Sequence, residues 1–96
     1  MQVQRNEKLA DGRSYLMGLP ENTCSHAMEV LIDKEGKIAE AVIHGGCMGN
    51  TQGVCNLIKG MEVQEVINRL EGIDCGGKGT SCPDQLSKLL KVWQEK

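Results

Sequence analysis

Four cysteines in this chain stand beside glycine or a small polar residue: "NTCSH" at Cys24, "GGCMG" at Cys47, "DCGG" at Cys75 and "TSCP" at Cys82. Such flanks let backbone N–H groups turn toward a sulfur and favour thiolates. The fifth, Cys55, lies inside an apolar periodic stretch and reads as a packing thiol. An odd number of cysteines weakens a disulfide framework and favours metal or redox thiol chemistry. The rest of the chain has to place those loops relative to one another.

Alternation from 26 to 32, "HAMEVLI", puts Met28, Val30 and Ile32 on one face. "DKEGK" (33–37) turns the chain, and "IAEAVIH" (38–44) completes a β-hairpin. "SYLMGL" (14–19) can add a strand, whereas residues 1–13 are polar, unpatterned and expected to lie loosely against a domain spanning 14–96. Helical spacing then appears three times: Val54, Leu57, Ile58, Met61; Val63, Val66, Ile67, Leu70; and Leu86, Leu89, Leu90, Trp93. Pro83 suits the first turn of the last helix, with Asp84 at its positive end and Lys88 and Lys91 later. The expected fold is α+β, a small antiparallel sheet covered by three helices. Without phenylalanine, and with only Tyr15 and Trp93 as aromatics, the core must be aliphatic. The expected core pairs Leu57, Ile58, Val66, Ile67, Leu86, Leu89 and Leu90 with Val30, Ile32 and Val42.

A net charge of −2 offers no basic patch for nucleic acid. No apolar run reaches membrane-spanning length, and "MQVQRNEKLADGRS" lacks the apolar centre of a secretory leader. The expectation is a cytoplasmic protein with a protein partner. "GIDCGGKG" (72–79) approaches the phosphate-loop pattern, but Gly79 stands where the magnesium-binding hydroxyl belongs and a helix precedes it.

On this arrangement Cys24 precedes the hairpin, Cys47 follows it, and Cys75 and Cys82 lie in the loop before the last helix. Antiparallel pairing brings the first two to one end, where that loop can fold over them. Cys24, Cys47, Cys75 and Cys82 are therefore the expected ligands of a tetrahedral metal site, with zinc as the ion. Lys78 would offset negative charge. Cys82 at a helix start gains from unpaired N–H groups and the helix dipole. A dithiol working through Cys75 and Cys82 is the redox alternative; its candidate bases are His26 and His44.

"GTSCPDQL", together with "GGCMGNTQGVCNLIKGM" and "GIDCGGKGTSCPDQL", resembles the TSCPD-domain family of small proteins with four characteristic cysteines. The resemblance covers Cys24 to about Leu90 and implies the same four positions. Related segments occur in adenosylcobalamin-dependent ribonucleotide reductases, which implies an accessory or regulatory role near that chemistry. These 96 residues have no room for the reductase barrel itself. The frame also resembles the U-type iron–sulfur scaffold proteins, implying their fold and a labile cluster on Cys24, Cys47 and Cys82. His26 stands where that family has an acidic residue.

Overall fold

The alternating segments pair as one antiparallel meander in the order β1-β2-β3-β4. The strands are β1 (Gln2–Lys8), β2 (Ser14–Leu19), β3 (Ser25–Ile32) and β4 (Ile38–Gly45). This computed structural model describes residues 1–23, 25–45, 48–74, 76, 77 and 79–95, with 48–50 described by backbone alone. Three helices follow: α1 (Met48–Ile58), α2 (Val63–Leu70) and α3 (Cys82–Gln94). They cover one face of the sheet, giving the expected α+β arrangement.

Leu16 on β2 and Met28, Val30 and Ile32 on β3 are fully buried or nearly so beneath Leu86, Leu89 and Leu90 of α3 and Val66 and Ile67 of α2. Gly18 marks the close approach of α3 to the sheet. A Cβ there would lie 3.1 Å from Leu89 Cδ1 and 2.6 Å from Met1 Sδ. The loop between α1 and α2 is stitched to the start of β4 by backbone bonds: Gly60 N–H to Ile38 O, Ile38 N–H to Met61 O and Val63 N–H to Gly36 O.

Val42 does not join this core; it is 41% exposed. Ile32 pairs with Ile38, but Leu31 pairs with Glu40, so Ala39 is an extra residue in β4. That bulge shifts the alternation by one: Ala41 faces the helices, and Val42 faces outward opposite Glu29. Leu57 is also outside the core, at 78% exposure. The inward face of α1 is Thr51, Cys55 and Ile58, because α1 packs on β4 at the sheet edge. Val54 and Met61 only flank the core.

Residues 2–8, expected to lie loosely, form β1, pairing with β2 from Gln2↔Leu19 to Lys8↔Ser14. An edge strand needs only its backbone bonds on one side, and charged side chains there block further pairing. Val3 and Asn6 face inward half-buried, while Arg5 and Glu7 are exposed.

Candidate functional site

The sequence "TSCPDQ" (80–85) begins α3, and most of its side chains are committed to holding the helix start in place. Ser81 is the N-cap; its Oγ accepts the Asp84 N–H at 3.1 Å. Asp84, only 4% exposed, receives the Gly72 N–H at 2.7 Å on one oxygen and the Thr80 hydroxyl on the other. Gln85 donates from Nε2 to Thr80 Oγ1 at 2.9 Å, and its Oε1 accepts the Glu21 N–H at 3.1 Å. The motif thus ties together the start of the α2–α3 loop, the first turn of α3 and the β2–β3 connection. Burial disfavours the Asp84 charge, but the Thr80 hydroxyl, the Gly72 N–H and Lys88 outweigh it and hold the carboxyl below its ordinary value.

Cys82 is the member of the motif whose side chain serves none of these contacts. Its half-buried Sγ lies 3.3 Å from Ser25 Oγ, and Ser25 Oγ lies 2.9 Å from Thr23 Oγ1. Ser25 is 6% exposed and pairs with Gly45 across the hairpin. The unpaired N–H groups expected around Cys82 are largely in use. Pro83 has none, Asp84 N–H goes to Ser81 Oγ, and Gln85 N–H goes to Ser81 O at 2.8 Å. The group facing the sulfur is the Ser25 hydroxyl from β3, whose Oγ accepts the Cys82 S–H.

Gly45 carries φ +83°, and a Cβ there would lie 2.5 Å from His26 Cδ2. The imidazole of His26, at a bulge between Ser25 and Ala27, therefore lies close against Gly45 at the end of β4. In the loop after α2, Asp74 accepts the N–H groups of Gly77, at 2.9 Å, and Gly79. His44 is engaged elsewhere: its Nε2 bonds Glu29 Oε2 at 2.5 Å, and Tyr15 donates to the other Glu29 oxygen at 2.5 Å. The Tyr15 hydroxyl, then His44, hold the Glu29 carboxyl below the usual range.

Of the four expected ligands, Cys82 is described; Cys24, Cys47 and Cys75, with Lys78, lie outside the described residues. Among the described residues no group of three or more His, Cys, Asp or Glu side chains could hold a metal ion. Cys55 is a core residue, 5% exposed, and burial pushes its thiol up. Among the described residues no helix is long and apolar enough to cross a membrane. Sequence reasoning missed Ser25, Thr80 and Gln85, and assigned Asp84 to the helix dipole alone. The S-x-x-D spacing of Ser81 and Asp84 is a capping signal that could have pointed to Asp84.

As a thiolate, the half-buried Cys82 sulfur is one donor of the kind that zinc accepts, and it is the one expected ligand among the described residues. The family model for the TSCPD domain matches residues 5–93. No curated protein and no solved structure matches the chain.

Proposed function

Because this chain belongs to the TSCPD-domain family, we propose that it is an accessory module built around a thiolate metal site, with zinc held by Cys24, Cys47, Cys75 and Cys82. The observation that carries the reading is the division of labour within "TSCPDQ". Thr80, Ser81, Asp84 and Gln85 are buried and bonded into the fold, while the Cys82 sulfur is left facing Ser25. Ser25 follows Cys24 directly, and its partner Gly45 stands two places before Cys47. These neighbours support a shared site at that end of the hairpin.

A closed set of four thiolates supplies zinc with no open position, so the ion would cross-link loops and shape a surface for a protein partner. A link to ribonucleotide reduction rests on the family resemblance. Elemental analysis of protein purified without air or chelator tests the reading. One equivalent of zinc in colourless protein is the expected result. Brown protein would replace it with an iron–sulfur scaffold or carrier on Cys24, Cys47 and Cys82. Metal-free protein whose Cys75 and Cys82 oxidise as a pair would replace it with thiol redox chemistry.

A further inference from the structure

The geometry points to Ser25 as a positioning residue for the Cys82 sulfur, its hydroxyl aligned by Thr23 to donate a hydrogen bond to the metal-bound thiolate. The inference rests on the metal-site reading and adds a residue to it from outside the cysteine set. Ser25 Oγ accepts the Cys82 S–H at 3.3 Å and lies 2.9 Å from Thr23 Oγ1, so the bond to the sulfur must reverse when the thiol loses its proton. Ser25 is 6% exposed, so solvent competes little for its hydroxyl. A serine hydroxyl has one proton to give and lone pairs to accept with. When an ion holds the sulfur as thiolate, the sulfur offers no proton. Ser25 O–H then turns to the sulfur, and Thr23 O–H turns to Ser25.

Among the described residues, the backbone just after Cys82 is committed elsewhere. Pro83 has no N–H, and the N–H groups of Asp84 and Gln85 are held by Ser81. The hydroxyl also comes from β3, a strand fixed by two neighbours, while the sulfur comes from α3. The bond thus joins the sheet to the helix start at the ligand itself. A hydrogen bond to a bound thiolate favours the ionised sulfur over the thiol, which promotes metal binding, and withdraws charge from it, which lowers its reactivity toward electrophiles.

The test uses the full chain loaded with cobalt(II), whose thiolate charge-transfer band reports on each sulfur. Wild type, Ser25→Ala, Ser25→Thr and Thr23→Val are compared by that band, by cobalt stoichiometry and by affinity against a chelator. Ser25→Ala should keep full stoichiometry, move the band to longer wavelength and bind about tenfold more weakly. Ser25→Thr, which keeps the hydroxyl, should restore the wild-type band. Thr23→Val should shift the band in the same direction by less, and it decides the matter if Ser25→Ala does not fold. A wild-type cobalt–thiolate band left unchanged in Ser25→Ala and Thr23→Val overturns this inference alone. A wild type with no such band overturns the metal-site reading, and this inference with it.

Discussion

Asp84 shows how much of the family motif is spent on folding. Removing its carboxylate by Asp84→Ala would leave the Gly72 N–H and the Thr80 hydroxyl without their buried acceptor. Each such loss costs about 1–3 kcal/mol, so urea denaturation should show a destabilisation of at least about 2 kcal/mol. The carboxyl is held below its ordinary value of 3.8. Its stabilisation is therefore complete above that pH and is lost as pH falls through the lower folded-state value. Asp84→Asn should flatten that acid limb of the stability–pH curve, measured by denaturant midpoints between about pH 2 and 5. The two described cysteines separate on the same grounds. Cys55 is buried with its thiol pushed up, whereas Cys82 is half-buried. In metal-free native protein Cys55 should alkylate more slowly than Cys82, as peptide mass mapping would read. On the proposed metal site, Cys55→Ser should keep full metal stoichiometry, while Cys75→Ser and Cys82→Ser each lose most of it.

At the scale of elements, α3 is the piece that joins sheet, helices and candidate site. Leu89 is fully buried and packs where Gly18 lets the helix come close to β2. Leu89→Ala should cost on the order of 2–5 kcal/mol, as for other buried leucines. Leu57→Ala on α1 should stay within about 0.5 kcal/mol, because that side chain is 78% exposed. Comparing the two by chemical denaturation distinguishes the observed face of α1 from the one its apolar spacing suggested. The exit of β4 is set by Gly45, where φ is +83° and the His26 ring leaves no room for a Cβ. Gly45→Ala should therefore cost at least about 1–2 kcal/mol from backbone strain alone. On the proposed metal site it should also reduce metal content, because the proposed ligand Cys47 follows two residues later in sequence; thermal melts and metal analysis read the two effects.

Over the whole molecule, the aliphatic core runs through β2, β3, β4 and all three helices without drawing on the Cys82 sulfur as a fully buried member. A Cα radius of gyration of 12.2 Å is what about 2.2·N^0.38 gives for a folded chain of this length. On the proposed zinc site, chelation should lower the melting temperature while leaving the far-UV circular dichroism of the native state in place. A zinc finger would instead unfold without its metal. Complete loss of helix signal on chelation would mean that the metal carries more of the fold than the core does.

Local patterning was enough to read the hairpin, the three helices and the α+β class, because periods of 2 and 3.6 residues are written in consecutive side chains. Pro83 and the apolar spacing after it likewise announced where α3 begins. The sequence also singled out Cys82 from Cys55, since one sits among loop residues and the other in an apolar stripe. Relations between distant residues needed the tertiary structure. The bulge at Ala39 turns Val42 outward, and a shift of one residue in pairing is invisible in the strand's own composition. Packing on β4 selects Cys55 and Ile58 over Leu57 as the inner face of α1, since either side of that helix was apolar enough. A polar β1 forms because β2 offers it a ladder of backbone partners. The sequence determined which residue types were available for chemistry. The fold decided that Asp84 would fasten a loop 12 residues away, and that Ser25, 57 residues from Cys82, would meet its sulfur. Those contacts exist only once strand and helix are packed, because nothing along the chain between them fixes their distance.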